Sequence, residues 1–101
     1  PTASIAPGVQ IHAGAVIGAN AVLDSGVVVN SNAVVSHDCH VGEHTHITPG
    51  ALIAGAVSIG QRSLIGMGVT VLNMVEIGDD VVINNGVHVF RNVASGTHIR
   101  K

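Results

Sequence analysis

Histidine side chains are the main candidates for chemistry in this chain. Seven histidines occur among its 101 residues, of which only 10% are Asp, Glu, Lys or Arg. Four of the seven lie between Ser36 and His46, and Asp38 directly follows the first of them, His37. An adjacent carboxylate can orient an imidazole so that its other nitrogen accepts a proton near neutral pH. His37 and Asp38 are therefore a candidate general base, and the alternative is a pair of solvated turn residues.

The composition excludes several classes of function. The formal net charge is −2, and four Lys and Arg residues cannot form the basic stripe that tracks a phosphate backbone. Phe90 is the only aromatic side chain, so bases have no stacking platform and we expect no nucleic acid partner. No apolar run approaches the roughly 18 residues of a membrane span, so we expect no membrane partner. Cys39 has no second cysteine to pair with, which favours a reducing compartment and predicts a cytoplasmic protein.

A repeat of six residues indicates which elements position these side chains. Starting at Ile5, every sixth residue up to Val89 is Ile, Leu or Val. Four residues after each of them, from Val9 to Val93, comes a small or β-branched residue. A small inward residue, one intervening residue and a large aliphatic residue form the in-out-in alternation of a short strand. A helix cannot keep a six-residue period on one face, so the pattern predicts short strands separated by bends.

A second period, of 18 residues, sets the number of strands in each coil. Glycine or asparagine recurs at this interval, and both residues tolerate a left-handed backbone conformation. The positions are Gly14, Asn32, Gly50, Gly68 and Gly86. Three six-residue units per coil make a triangular solenoid of about five coils, in which the strands of successive coils pair. We therefore predict an all-β domain over residues 1–94 and an irregular tail over residues 95–101.

The strand centres that face outward form three columns, one on each side of the predicted prism. The first column contains Gln10, Val28, His46, Leu64 and Val82, and the second contains Val16, Val34, Leu52, Thr70 and His88. The third contains Val22, His40, Ser58, Glu76 and Ala94. Two columns are apolar in the middle coils, and the third is polar there. Stacked apolar surface residues are typical of a subunit interface, so we predict a homotrimer; ordinary apolar surface is the alternative.

The repeat resembles the left-handed parallel β-helix of the hexapeptide-repeat acyltransferases over essentially the whole chain, and the resemblance supplies the left-handed sense of the coil. A more specific likeness lies at residues 30–51, which read NSNAVVSHDCHVGEHTHITPGA. This segment is similar to the signature of the sugar acetyltransferases related to sialic-acid O-acetyltransferase and to UDP-4-amino-sugar (bacillosamine-type) N-acetyltransferase. The resemblance implies an acetyl-CoA-dependent enzyme that acetylates an amine or a hydroxyl of a sugar or nucleotide-sugar.

The resemblance also implies roles for individual residues. His37 would be the general base that deprotonates the acceptor during direct attack on the thioester. Asp38 would orient His37 and stabilise its protonated form. His46 would contact the thioester region of acetyl-CoA, and Asn30 would help to place the reacting groups. Cys39 occupies an inward position, so we expect a buried core thiol and no acyl-enzyme.

Three further residues, Gly55, Met67 and Gly86, occupy positions that resemble those along which the family lays the pantetheine arm of acetyl-CoA. Gly55 lies one 18-residue period after His37, so its missing side chain leaves room beside the proposed base. His37 is expected at a corner and His46 at the middle of the opposite side. If they share a site, that site must lie between two subunits.

Two other classes of function remain open from the sequence. Some β-helices resemble γ-class carbonic anhydrases, and His40, His44 and His46 could suggest a zinc site, although alternate strand residues and corners point in different directions. We therefore expect no metal ligands. The chain could also be a non-catalytic trimeric β-helix module. In the subfamily that it resembles, a nucleotide-binding domain precedes the β-helix, so we expect this chain alone to be weakly active or inactive.

Overall fold

The computed structural model describes residues 2–100, so Pro1 of the predicted domain and Lys101 of the predicted tail lie outside the described residues. Sixteen strands of two residues each form in this part of the chain, which contains no helix. They are β1 (Ser4–Ile5), β2 (Gln10–Ile11), β3 (Val16–Ile17), β4 (Val22–Leu23), β5 (Val28–Val29), β6 (Val34–Val35), β7 (His40–Val41), β8 (His46–Ile47), β9 (Leu52–Ile53), β10 (Ser58–Ile59), β11 (Leu64–Ile65), β12 (Thr70–Val71), β13 (Glu76–Ile77), β14 (Val82–Ile83), β15 (His88–Val89) and β16 (His98–Ile99).

The strands form three parallel sheets that enclose a triangular prism. Face A contains β1, β4, β7, β10 and β13; face B contains β2, β5, β8, β11, β14 and β16; face C contains β3, β6, β9, β12 and β15. Each strand pairs with the strand one coil further along, as Val34 does with Leu52. The predicted left-handed parallel β-helix of about five coils is therefore confirmed.

Three corners connect the faces, and each is named here after the faces that it joins. The A/B corner comprises residues 6–9, 24–27, 42–45, 60–63, 78–81 and 94–97, and the B/C corner comprises residues 12–15, 30–33, 48–51, 66–69 and 84–87. The C/A corner comprises residues 18–21, 36–39, 54–57 and 72–75, and residues 90–91 form its shortened last turn. Outward side chains at each corner lie in columns because the coils are in register.

The core is a single column of aliphatic side chains along the prism axis. The inward large residues from Leu23 to Val89 and most of the small inward residues are buried. Two inward positions are polar, and both are satisfied: the Thr45 hydroxyl donates to the Gly60 carbonyl at 2.6 Å, and the Ser63 hydroxyl donates to the Gly78 carbonyl at 3.0 Å. Between residues 2 and 100, no buried side-chain nitrogen or oxygen lacks a hydrogen-bond partner. Burial of these aliphatic side chains is the main stabilising term of the fold.

The glycine and asparagine column at the B/C corner adopts the left-handed conformation predicted for it. Asn32 has a φ of 58° and Gly50 a φ of 74°. The other two corners use the same conformation at ordinary residues, including Asp38 and His44. The composition does not reveal these positions, since a left-handed backbone disfavours most side chains by about 1–2 kcal/mol and the stacked coils impose it nonetheless.

The last coil departs from the 18-residue register. Val93 pairs with Ile77 and Ile99 pairs with Ile83, which is a spacing of 16 residues in each case. The C/A corner that follows Val89 is therefore two residues shorter than the earlier ones. Val93, six residues before Ile99, takes the buried inward position of its side of the prism.

Two predictions for this region are wrong because the shortened corner shifts the six-residue count. Ala94 does not stand in the outward column of face A, since Asn92 takes the place opposite Glu76 and its side-chain oxygen accepts a hydrogen bond from the Glu76 backbone N–H at 2.8 Å. Residues 95–101 are not irregular throughout, since His98–Ile99 form a strand on face B. Residues 2–100 contain no helix long and apolar enough to cross a membrane.

Two constraints limit the residue type at a corner: contact with the next coil and a left-handed backbone conformation. Gly42 is subject to the first, and Gly50, with a φ of 74°, to the second. A Cβ atom on Gly42 would lie 2.6 Å from the carbonyl carbon of Gly60, whereas a Cβ atom on Gly50 would meet no atom closer than 3.9 Å. We expect Gly42→Ala to lower the free energy of unfolding by about 2 kcal/mol through backbone crowding. Gly50→Asn should lower it by less than about 1 kcal/mol, because asparagine accepts a left-handed φ.

Urea denaturation of both variants beside the parent chain measures this difference. Equal losses of stability would show that contact between successive coils does not limit the side chain at position 42.

Candidate active site

The His37–Asp38 pair lies at the C/A corner and is exposed. Asp38 has a φ of 60°, and this left-handed turn brings its carboxylate back towards the imidazole of the preceding residue. The distance from His37 Nδ1 to Asp38 Oδ2 is 3.0 Å. A carboxylate accepts the Nδ1–H hydrogen bond, so the neutral imidazole presents the lone pair of Nε2. The geometry is that of an oriented base.

Gly55 lies directly beside this imidazole, one coil further along the same corner. A Cβ atom on Gly55 would lie 2.5 Å from His37 Nε2 and 2.6 Å from Cε1. The ring therefore lies over the Gly55 α-carbon, in the space that any other residue would fill. The backbone holds this register, since the Ala56 N–H donates to the His37 carbonyl at 2.9 Å. We call His37, Asp38 and Gly55 the base half of the candidate site.

His46 projects from strand β8 on face B and is half-buried. Its Nε2 lies 3.1 Å from the side-chain nitrogen of Asn30, which stands one coil earlier at the B/C corner. The Asn30 side-chain oxygen accepts a hydrogen bond from the Ser31 backbone N–H at 2.8 Å, which fixes the orientation of the amide. The Asn30 nitrogen must then donate to His46 Nε2, so the neutral ring carries its proton on Nδ1.

Met67 and Gly86 lie at the B/C corner, on the side of the prism that carries His46. The Gly86 N–H donates to the Met67 carbonyl at 2.8 Å, so the two residues stack in successive coils. A shallow groove of about 350 Å³ runs beside Met67, with Thr48, Leu64, Val82 and Asn85 among its lining residues, and Gly86 lies outside this lining. We call Asn30, His46, Met67 and Gly86 the face-B half of the candidate site.

Asn85 is a groove residue that the sequence reasoning missed. Its side-chain oxygen accepts a hydrogen bond from the Met67 backbone N–H at 2.9 Å, which fixes the corner that lines the groove. The signal that could have found it is the 18-residue interval, since Asn85 follows Met67 by one coil.

The two halves stand on opposite sides of one protomer. The base half occupies the C/A corner, and face B, which carries His46, is the side of the triangle opposite that corner. A single chain therefore brings His37, Asp38 and Gly55 together at one corner. It brings Asn30 and His46 together on the other side of the prism, and the two groups do not meet within the chain.

Cys39 is buried beside the base half and does not line it. Its Sγ atom donates to the Ala54 carbonyl at 3.1 Å. Burial raises the pKa of the Cys39 thiol above its ordinary value. A buried thiol with a raised pKa is a poor nucleophile, so the geometry offers no covalent role for Cys39.

The histidines that could suggest zinc point to different places. His40 Nε2 pairs with Asp24 at 2.9 Å on the side of face A. His44 lies over Gly26 at the A/B corner, and His46 bonds to Asn30 on face B. No three His, Cys, Asp or Glu side chains are arranged to hold a metal ion within the described part of the chain. The residues of one protomer therefore do not fit a zinc centre.

The sequence matches the family model described as the GMPPB C-terminal domain over residues 1–98. The chain therefore belongs to the GMPPB C-terminal domain family. A comparison with curated proteins gave no match.

Solved acetyltransferase structures share this fold. The acetyltransferase domain of PglB from Neisseria gonorrhoeae, also solved with acetyl coenzyme A, is 34% identical with a TM-score of 0.85, and the match covers 97% of this chain and 51% of that one. PerB from Caulobacter crescentus, in complex with CoA and GDP-perosamine, is 33% identical with a TM-score of 0.85, and the match covers 97% and 50%. The resemblance to the hexapeptide-repeat acyltransferases is thus confirmed. The chain spans about half the length of these two proteins.

The contact between Gly55 and His37 can be tested without an activity assay. We expect Gly55→Ala to displace the imidazole, because the added methyl group would lie 2.5 Å from Nε2, and so to break the hydrogen bond to Asp38. Nitrogen-15 NMR of the histidine rings measures this loss as a change in the His37 Nδ1 resonance. Gly68→Asn is the control, because no atom lies within 4 Å of a Cβ atom at that position and asparagine accepts its left-handed φ of 66°. An unchanged His37 signal in Gly55→Ala would refute the described packing.

Proposed function

We propose that this β-helix is the acetyl-CoA-binding and catalytic part of a sugar acetyltransferase, which acetylates an amine or hydroxyl of a nucleotide-linked sugar. The observation that carries the proposal is the His37–Asp38 pair, with the imidazole lying over Gly55. The similarity to PglB and PerB supports it, since the solved PglB domain holds acetyl coenzyme A and PerB holds CoA and GDP-perosamine. Structures of the Caulobacter enzyme also exist in which one histidine is replaced by alanine or asparagine.

The proposed chemistry is a direct transfer. Nε2 of His37 accepts the proton of the acceptor amine or hydroxyl as that atom attacks the thioester carbonyl carbon. The Asp38 carboxylate keeps the Nδ1–H bond and stabilises the imidazolium that forms. When the tetrahedral intermediate collapses, the carbon–sulfur bond breaks and His37 returns the proton to the CoA thiolate. The products are the acetylated sugar and CoA, and atoms and charge balance without a covalent enzyme intermediate.

The face-B half would hold the acetyl donor. Because Asn30 occupies Nε2 of His46, the Nδ1–H of that ring is left to donate to a carbonyl of the bound acetyl-CoA. The groove that Met67 lines would take the pantetheine arm, and Gly86 would support it through its hydrogen bond to the Met67 carbonyl. A single unpaired cysteine, Cys39, suits a reducing compartment such as the cytoplasm, where acetyl-CoA chemistry would take place.

The proposal requires assembly, because one chain does not unite the two halves. Faces B and C expose large aliphatic side chains in their middle coils, with Leu52 43% and Leu64 40% exposed. A cyclic homotrimer that buries these faces would place the C/A corner of one protomer beside face B of the next. The active sites would then lie at the junctions between subunits.

A second candidate function is a non-catalytic β-helix module. The family match favours it, because the description of that family names a domain and not an acetyl-transfer reaction. Such a module would assemble through the same apolar faces and would bind no acetyl-CoA. Acetyl-CoA binding therefore distinguishes the two functions.

The chain offers a matched pair of variants for the proposed base. His37 and His40 each pair with a carboxylate, at 3.0 Å and 2.9 Å, but only His37 lies over Gly55 at the C/A corner. In the protein that carries this chain, we expect His37→Ala to lower kcat for acetyl transfer to GDP-perosamine or a UDP-4-amino-sugar about 100-fold or more. His40→Ala should stay within about twofold of the parent.

Release of the CoA thiol measures turnover in all three proteins. A His37→Ala protein that retains the parent kcat would refute the assignment of the base. An equal loss in both variants would point to a general effect of removing histidine–carboxylate pairs from the surface.

A further inference from the structure

Corner residues and face residues lie at related heights along the prism. The regular coils rise by about 4.8 Å per 18 residues, so a C/A-corner residue lies midway in height between the face-B residues nine positions before it and nine positions after it. His37 is accordingly level with the gap between Val28 and His46. In the cyclic trimer of the proposed function the prisms stand side by side, so residues of equal height meet across the junction.

The groove on face B lies on one side of this level. Leu64 and Val82, which line the groove, stand nine residues before and nine residues after Asn73, and Asn73 lies two coils beyond His37. The groove is therefore about 10 Å further along the prism than the proposed base. An acetyl donor held there reaches His37 from the C-terminal side, and the coil before His37 stays free for the acceptor.

The coil before the base carries a small residue and an amide at the C/A corner. Ala19 precedes His37 by one period, and Asn20 precedes Asp38 by one period. The backbone holds the two turns together, since the Asp38 N–H donates to the Ala19 carbonyl at 2.9 Å. The methyl side chain of Ala19 leaves space on the N-terminal side of the imidazole, and Asn20 is exposed beside that space.

The Asn20 amide differs from most asparagine amides of this protein. Four others are fixed by hydrogen bonds to a neighbouring coil, those of Asn30, Asn84, Asn85 and Asn92. Asn20 forms no side-chain hydrogen bond within residues 2–100, and glycine would suit its left-handed φ of 62° equally well. The donors and the acceptor of this amide are therefore available to a ligand.

A second amide lies at the same height on the neighbouring protomer. The face-B residues on either side of Asn20 in height are Gln10 and Val28, ten positions before it and eight after it. Gln10 is exposed on β2. The junction would thus carry two neutral amides, and Val28 adds no charge to it. An amide both donates to and accepts from hydroxyl groups, whereas an anion is bound more strongly by cationic side chains.

We infer that Asn20 of one protomer and Gln10 of the next bind hydroxyl groups of the acceptor sugar and so place its amine or hydroxyl at His37. This inference rests on the proposed function and adds the residues that select a sugar over a simple amine or alcohol. One coil spacing, about 4.8 Å, matches the separation between the reacting atom of a sugar and a hydroxyl across its ring.

Steady-state acetyl transfer to GDP-perosamine and to a UDP-4-amino-sugar, in the protein that carries this chain, tests the inference. We expect Asn20→Gly and Gln10→Ala each to raise the KM for the sugar about fivefold, equivalent to the loss of one neutral hydrogen bond, with kcat within about twofold of the parent. The Kd for acetyl-CoA, measured by calorimetry, should equal that of the parent. Asn20→Gly keeps the left-handed turn, so it removes the amide alone.

His44→Gly is the matched control for Asn20→Gly. His44 also has a left-handed φ, of 59°, and it lies at the A/B corner, away from both halves of the candidate site. We expect the KM for the sugar in this variant to equal that of the parent.

Each outcome bears on a separate statement. A sugar KM that stays at the parent value in both amide variants would overturn the role of Asn20 and Gln10 and leave the proposed function standing. A weaker affinity of Asn20→Gly for acetyl-CoA, or an equal rise of KM in His44→Gly, would overturn it as well, because the substitution would then act through the fold. If the parent binds acetyl-CoA but acetylates neither sugar, the inference is overturned and the acetyl-CoA site stands. If the parent binds no acetyl-CoA, the proposed function fails and this inference falls with it.

Discussion

The parallel pairing of successive coils, at a spacing of 18 residues in all but the last coil, is the constraint on which the rest of this structure depends. It fixes which residues point inward, and so requires an aliphatic side chain at every sixth position. It also stacks each corner on the next, so that the neighbour of an outward side chain is the residue one period away. The contact of His37 with Gly55 and that of Met67 with Asn85 both follow from this stacking.

The same constraint explains why so much of the fold could be predicted from the sequence. The inward series from Ile5 to Val89 follows directly from the six-residue repeat, and the three outward columns follow from the 18-residue repeat. The position of a residue in a solenoid depends mainly on the adjacent coils, so its placement requires no prediction of contacts between residues that are distant in the sequence. The placement of His37 and His46 on opposite sides of the prism follows by the same reasoning.

The parts that could not be predicted are those in which local geometry breaks or supplements the period. The shortened corner after Val89 places Val93, which was predicted as a small inward residue of that corner, opposite Ile77 on face A. No residue type in that segment indicates the loss of two positions. The hydrogen bond from Asn30 to His46 joins a corner residue to a residue at a strand centre. It therefore does not follow from the 18-residue period, which relates corner residues only to corner residues and strand residues only to strand residues.

The family model and the neighbouring structures give different information about this chain. The family model names a C-terminal domain, while the neighbouring structures are acetyltransferases bound to CoA or acetyl coenzyme A. A β-helix with apolar outer faces can serve either class, since assembly and catalysis use the same surfaces. What separates the classes is the oriented base over a glycine, together with a complementary half on the opposite face. The proposed acetyl transfer therefore requires that those halves meet between subunits.

Titration of acetyl-CoA into the chain and into a Leu52→Lys variant, each with its mass measured by sedimentation equilibrium, tests that claim most directly. Leu52→Lys places a charge in the middle of face C, and Ser58→Lys places the same charge on the polar face A as a control. We expect the parent and Ser58→Lys to be trimers that bind one acetyl-CoA per chain, and Leu52→Lys to be a monomer that binds none. A monomeric Leu52→Lys chain that binds acetyl-CoA as tightly as the parent, or a parent trimer that does not bind it, would refute a site formed between subunits.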